Sequence, residues 1–274
     1  MGKWLANTPP LLLVGACAAL GSSALGCSER LELGSDLIWT ADQETANLEQ
    51  WTRDGRGEAL TPRTPDSDDA TGMTAAGQDS SIEVTTELAH RGTHAVKLVN
   101  PTGWAQDDDG PELYHVLGEL SDAYYSAWFL LPEAYRLDPQ LTLLRLRSRV
   151  DDSSDLLNGE ELQLRSLSSG GYVLQVFSNN NGFLREPIAD PAPHVEAGRW
   201  FQLEARYEPQ SSGRLRIWLD GSLVYDLTGR PGAGGSQLVL GVCNVAQTAT
   251  PAPVVLFVDD VAVSLSRVSP SGTL

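Results

Sequence analysis

From Ile82 onward, hydrophobic and polar residues alternate along short segments separated by turn residues. A period of two places alternate side chains on opposite faces, so each segment predicts a β-strand with one apolar and one polar face. No window of helical length keeps an apolar period of 3.6 residues. The predicted strands are Ile82–Thr86, His94–Val99, Leu113–Leu117, Tyr124–Leu131, Leu141–Val150, Glu161–Leu167, Tyr172–Ser178, Trp200–Glu208, Arg214–Leu219, Ser222–Leu227, Gln237–Val242 and Val254–Leu265.

The strongest local signal is a hairpin within Gly198–Gly229. Two alternating segments meet there at Asp220-Gly221, and both residues of such a two-residue turn must tolerate a positive φ. About a dozen strands without helices predict an all-β fold, a two-sheet antiparallel β-sandwich.

Several segments resemble the concanavalin A-like lectin/glucanase superfamily, whose members include LamG-type and polysaccharide-lyase-like jelly rolls. The resemblance extends from Asp36 to Arg267. It implies a jelly-roll fold and a carbohydrate ligand, but no particular reaction, because lectins, carbohydrate-binding modules, lyases and glycosidases share these markers. The segments are Ser126-Ala127-Trp128-Phe129-Leu130-Leu131-Pro132, Gly198-Arg199-Trp200, Ile217-Trp218-Leu219-Asp220-Gly221 and Phe257-Val258-Asp259-Asp260-Val261.

Size and charge narrow the classes of partner. The 274 residues are enough for one large all-β domain, and we expect a monomer. The net charge of −17 argues against binding to nucleic acid or to an anionic membrane surface, since both require clustered cations.

The N-terminus predicts an exported lipoprotein. Lys3 precedes the apolar run Leu11–Leu20, which is too short to span a bilayer. Ala24-Leu25-Gly26-Cys27 then resembles a bacterial lipobox, which predicts a signal peptide over 1–26 and lipidation of Cys27. The alternatives are lipidation of Cys17, or an ordinary signal peptide cut near Gly26.

The mature chain then divides into three predicted parts. Residues 27–35 form a tether, residues 36–268 form the jelly-roll domain, and a long surface loop lies near 52–81. The resemblance to Gram-negative lipoproteins, with Ser28 and not Asp after Cys27, implies the outer membrane or cell surface. The lipid is the expected membrane contact.

Four predicted strands each carry Arg, Gln or Glu opposite an apolar face. If they lie in one sheet, their polar faces form one platform, and its arginines suit carboxylate or sulfate groups. This predicts binding of an anionic polysaccharide, bearing uronate or sulfate. The alternative is cross-strand pairing of the arginines with Glu161 and Glu204. The predicted ligand-binding residues are Arg145, Arg147, Arg149, Gln163, Arg165, Gln175, Phe177, Gln202 and Arg206.

Signals for catalysis are weaker. The Glu-x-Asp-x-Glu strand of glycosidases in this superfamily is absent. A polysaccharide lyase acting by β-elimination needs a charge neutraliser and a base, which Arg145 or Arg147 with Tyr114 or His115 would supply. A purely structural or adhesive envelope protein is the third hypothesis.

A structural calcium ion is the one cofactor that the resemblance implies. Asp42–Trp51 resembles the D-x-E-x-G-x-L-x-x-W opening of jelly-roll carbohydrate proteins, with Ala46 in place of the glycine. In those proteins an acid of the opening and one of the closing Asp-Asp-Val strand share a Ca²⁺ ion. The implied ligands are Glu44 and Asp259. Alternatively, backbone amides or arginines satisfy both acids.

Overall fold

The computed structural model describes residues 36–51, 72–74, 80–102, 110–118, 122–149, 156–178, 184–186, 188–208, 213–229 and 237–268. Apart from a short 3-10 helix at Glu49–Trp51, every regular element in these ranges is a β-strand, which confirms the all-β prediction. No helix among these residues has the length and apolar character needed to cross a bilayer.

The strands form two antiparallel sheets of eight strands each. Sheet A contains β1 (Leu37–Ala41), β3 (Ser81–Thr85), β4 (Ala95–Asn100), β6 (Ala123–Leu130), β12 (Phe201–Glu208), β13 (Arg214–Leu219), β14 (Ser222–Thr228) and β16 (Val254–Ser264). Their order is β14-β13-β12-β6-β16-β4-β3, and β1 also pairs with β16.

Sheet B contains β2 (Gly72–Thr74), β5 (Glu112–Gly118), β7 (Arg136–Arg149), β8 (Leu156–Ser166), β9 (Tyr172–Ser178), β10 (Leu184–Arg185), β11 (His194–Val195) and β15 (Gln237–Thr250). Their order is β10-β9-β8-β7-β15-β5-β2, and β11 also pairs with β9.

Each of the twelve predicted strands corresponds to an observed one. The Asp220-Gly221 turn joins β13 to β14 as expected, with φ of 47° and 78° at its two residues. The short strands β1, β2, β10 and β11 were not predicted. β2 lies within the predicted surface loop near 52–81 and pairs with β5; residues 52–71 and 75–79 lie outside the described residues.

The core lies between the sheets and is built from the apolar face of each strand. Burying one large apolar side chain contributes about 1.5–3 kcal/mol, so these positions carry most of the stability. The largest fully buried side chains are Trp51, Tyr125, Tyr172, Tyr207, Phe129, Phe257, Leu98, Leu113, Leu131, Leu141 and Leu143.

Two fully buried asparagines tie interior strands of the two sheets together. Asn244 on β15 donates its Nδ2 to the carbonyls of Leu98 and Val254, both 2.9 Å away in sheet A. Asn100 on β4 donates its Nδ2 to the carbonyl of Asn244, 2.8 Å away. Because these carbonyls have no access to water, the amides compensate their burial.

Replacing Asn244 with alanine is expected to lower the free energy of unfolding by about 2–3 kcal/mol, since two buried carbonyls lose their donor. Urea denaturation measures this. Thr248→Ala is the matched control, because it removes a side chain to backbone bond from an exposed part of the same strand. Equal losses in the two variants would contradict the structural role of Asn244.

Candidate functional site

Sheet B turns a second face away from the core, which we call the polar face of sheet B. It is defined by Glu112, Tyr114, Thr142, Arg145, Arg147, Glu161, Gln163, Arg165, Gln175 and Phe177. Their side chains share one face because residues two apart on a strand point the same way. One row runs across five neighbouring strands through Phe177, Glu161, Arg145, Gly241 and Tyr114.

Arg145 lies at the centre of a buried ionic network. Its Nη1 is 2.9 Å from Glu112 Oε2, and its Nε is 3.3 Å from Glu161 Oε1. Arg147 Nη2 also reaches Glu112 Oε2, at 3.3 Å. The Arg145 side chain is 2% exposed, so its charge is neutralised by carboxylates and not by water.

Two neutral side chains complete the network at Glu161. Gln163 Nε2 donates to Glu161 Oε2 over 2.8 Å, and Thr142 Oγ1 donates to the same oxygen over 3.2 Å. Gln175, which pairs with Gln163 across β8 and β9, donates its Nε2 to the carbonyl of Glu186, 3.0 Å away. The polar groups are thus held in fixed orientations before any ligand arrives.

Gly241 makes room for this network in the middle of β15. A Cβ at this position would collide with the Glu112 carboxylate, which crosses β15 to reach Arg145. Only glycine leaves the surface of the strand open there.

The electrostatics of the site follow from burial and pairing. Burial alone would raise the pKa of Glu112, but the charges of Arg147 and Arg145 and hydrogen bonds from Arg145 and Cys243 lower it overall. Burial raises the pKa of the Cys243 thiol well above its ordinary value, and the nearby Glu112 raises it further. Glu112 is therefore ionised at neutral pH, whereas Cys243 is a protonated donor.

Six of the nine predicted ligand-binding residues come together on this face. They are Arg145, Arg147, Gln163, Arg165, Gln175 and Phe177. Arg149 belongs to β7, where it pairs with Gln237 and Leu156, but its side chain lies outside the described residues.

The prediction that Gln202 and Arg206 belong to the same platform is wrong. Both lie on β12, which pairs with β6 and β13 in sheet A. Arg206 forms ion pairs with Asp122 and Glu208 there, and Gln202 Nε2 donates to Ser126 Oγ over 2.8 Å. Alternation along β12 had identified the polar face of the strand, but not the sheet that contains it.

The two predicted catalytic residues point in opposite directions. Tyr114 lies on the polar face of sheet B, two strands from Arg145 with Gly241 between them. His115 points into the core and stacks on Trp39, with ring centroids 4.2 Å apart. Burial lowers the pKa of His115 to about 4. His115 is therefore ruled out as a base acting on a ligand at the polar face.

Glu44 and Asp259 are not arranged as ligands of one ion. Glu44 Oε1 accepts the backbone N–H groups of Thr93 and His94, both at 2.9 Å. Asp259 Oδ2 accepts those of His90, at 2.8 Å, and Arg91. These carboxylate oxygens face N–H donors, which do not fit a cation. No group of three or more metal-binding side chains is found within the described ranges.

The predicted lipidation site, Cys27, lies outside the described residues. Sequence reasoning missed Glu112 and Thr142, the partners of Arg145 and Glu161. Glu112 could have been found, because it precedes the predicted strand and alternates with Tyr114. No sequence pattern identified Thr142. The pairing of β7 with β8 changes register between Thr142 and Leu144, and simple alternation does not hold across that point.

No family model and no curated protein matches the chain in sequence. Its fold is similar to that of several solved structures. A cellulose-induced protein, Cip1, is 18% identical with a TM-score of 0.52, over 72% of this chain and 92% of that one. A carbohydrate esterase of the Shiga toxin-encoding bacteriophage phi24B is 13% identical with a TM-score of 0.51, over 84% of this chain and 99% of that one.

An alginate lyase, solved with an alginate tetrasaccharide, is 8% identical with a TM-score of 0.50, over 72% of this chain and 88% of that one. At such low identities the similarity establishes the fold and not the site. The chain thus shares a β-sandwich architecture with carbohydrate-active jelly-roll proteins.

Proposed function

We propose that this chain binds a polysaccharide through the polar face of sheet B. The observation that carries the proposal is the fixed set of Arg, Gln, Glu, Thr and Tyr side chains on four strands, β5, β7, β8 and β9, opposite the core. Packing of the core does not require polar side chains on the opposite face of the sheet. Polar groups held in fixed positions are suited to hydrogen bonding with the hydroxyls of a sugar. Two proteins with this fold, named as an alginate lyase and a carbohydrate esterase, fit a carbohydrate ligand.

The ligand that we propose is anionic, with uronate or sulfate groups. Arg145 is neutralised inside the network, so the contacts come from Arg147, whose side chain is 17% exposed, and from the half-buried Arg165. Both guanidinium groups can donate two parallel hydrogen bonds to a carboxylate or sulfate. The N-terminal signal supports an exported, lipid-anchored protein that meets such a polymer outside the cell.

Affinity gel electrophoresis in alginate, heparin or pectin, with a neutral glucan for comparison, tests this proposal. We expect the acidic polymers to retard the protein. The double variant R147Q/R165Q is expected to bind at least about tenfold more weakly, because two charge-assisted contacts are lost.

Arg214→Gln is the matched control, since it removes a charge from an exposed ion pair in sheet A. Equal retardation of the control and double variants would contradict a site on sheet B. Failure of the unaltered protein to bind any of these polymers, with capture of envelope partners, would favour the structural or adhesive hypothesis.

Lyase activity is the second candidate, favoured by the position of Tyr114. It shares the polar face of sheet B with Arg147, the arginine of the network whose side chain is 17% exposed. In β-elimination, a deprotonated tyrosine takes the C5 proton while a cation neutralises the uronate; the C4–O bond breaks as the C4=C5 double bond forms, and the leaving oxygen takes up a proton. Absorbance of a 4,5-unsaturated product would reveal this activity, and Tyr114→Phe would abolish it. Binding of the polysaccharide without formation of this product would indicate a non-catalytic binding protein.

A further inference from the structure

Sheet A also has a face turned away from the core, and the C-terminal segment lies across it. We call Leu265–Val268 the C-terminal strap. Beyond β16, the N–H of Leu265 donates to the carbonyl of Asp36 over 2.8 Å. The strap then reaches the outward side chains of β12, where Gln202 Nε2 donates to the carbonyl of Val268 over 3.3 Å.

The strap supplies the hydrogen-bond partners of a buried carboxylate. Glu204 is 0% exposed at its side chain, although it points away from the core. Arg267 Nε donates to Glu204 Oε2 over 2.8 Å, and the N–H of Val268 donates to Glu204 Oε1 over 2.6 Å. Burial raises the pKa of Glu204 even though these donors lower it. Without the strap, this carboxylate would lose both partners.

Arg267 is bound in the way that a ligand would be. Its guanidinium carbon lies 4.5 Å from the centroid of the Trp218 ring, a cation–π distance. Its Nη2 also donates to the carbonyl of Gly221, 3.3 Å away. The cation is thus enclosed by an aromatic ring, a carboxylate and a carbonyl oxygen.

One polar atom beside the strap has no hydrogen-bond partner among the described residues. Gln202 is 1% exposed, and its Oε1 is a buried acceptor without a hydrogen bond from the described residues. The Nε2 of the same amide contacts the strap, so Oε1 lies next to the segment that covers it. A buried acceptor of this kind requires a donor, which the strap does not provide.

We propose that the C-terminal strap occupies a binding site for a cationic amino sugar. The sugar ring packs on Trp218, its ammonium group pairs with Glu204, and its hydroxyls donate to Gln202 Oε1 and to the Gly221 carbonyl. Arg267 can be displaced, because its side chain is 40% exposed. This site lies on the opposite sheet and does not depend on the function proposed for sheet B.

Arg267→Ala tests the proposal by removing the internal occupant without altering Trp218, Glu204 or Gln202. Tryptophan fluorescence is titrated with a glucosamine disaccharide, and with its N-acetylated form as the uncharged comparison. We expect R267A to bind the amino form at least about tenfold more tightly than the unaltered protein, and the N-acetylated form no better. Adding Glu204→Gln should abolish the gain.

Arg214→Ala is the matched control, because it removes one positive charge from an exposed pair on the same sheet. An equal gain in R214A would assign the effect to net charge and overturn the proposal. A folded R267A variant without any gain would do the same, as would preferential binding of arginine amide, which indicates a peptide site. If R267A does not fold, R267Q provides the comparison; failure of both variants to fold shows that the strap is a structural lock.

Discussion

Replacing Arg145 with methionine is expected to lower the free energy of unfolding at pH 7 by about 3–5 kcal/mol, the usual cost of removing one partner of a buried ion pair. The guanidinium contacts both Glu112 and Glu161, and Arg147 can compensate only the first of them. Urea denaturation at pH 7 measures the loss.

The loss should shrink at acidic pH. The pKa of Glu112 is lowered in the folded protein, so its ionisation stabilises the fold above its ordinary pKa, and this contribution disappears as the pH falls through the folded value. The triple variant R145M/E112Q/E161Q, which retains no unpaired carboxylate, should recover most of the stability. Arg214→Met, at an exposed pair, should change little. An equally small change in R145M would contradict the buried network.

Acid should destabilise the protein through His115, by about 3 kcal/mol between pH 6.5 and pH 4. Burial against Trp39 lowers the pKa of His115 to about 4, whereas the unfolded chain titrates near 6.5. Because the folded pKa is the lower one, the contribution is complete above pH 6.5 and is lost as the pH falls towards 4.

His115→Phe isolates this effect, since phenylalanine keeps an aromatic ring against Trp39 but takes up no proton. The slopes of the unfolding free energy against pH must be compared between the two proteins, because Asp259 changes the stability with pH in the opposite direction. Burial and the neighbouring Asp260 raise the pKa of Asp259 to about 8, so its contribution is present at low pH and is lost as the pH rises through 8. If unfolding free energies of H115F and the unaltered protein change in parallel from pH 7 to pH 4, the role of His115 is disproved.

Local signals were sufficient for twelve of the strands, but not for the short strands β1, β2, β10 and β11. Asp220-Gly221 determined the turn between β13 and β14 because few other residues tolerate the required φ. The assignment of a strand to a sheet had no such signal. Residues of β8 and β12 alternate in the same way, yet β8 pairs with β7 and β9 in sheet B, and β12 with β6 and β13 in sheet A. Only long-range pairing separates them, and Gln202 and Arg206 were misplaced for that reason.

An irregularity within β16 determines where Asp259, one of the two predicted calcium ligands, lies. Regular alternation along β16 would place Asp259 and Val261 on the same face. The register with β6 shifts between Asp259 and Ala262, and Asp260 has a φ of 46°. This bulge turns Val261 into the core while the Asp259 carboxylate binds the loop at His90 and Arg91.

The last two strands have a consequence for synthesis on the ribosome. β15 lies between β7 and β5 inside sheet B, and β16 lies between β6 and β4 inside sheet A. Neither sheet can be completed while Gln237–Ser264 is still within the exit tunnel, so both sheets keep open strand edges until this segment has emerged.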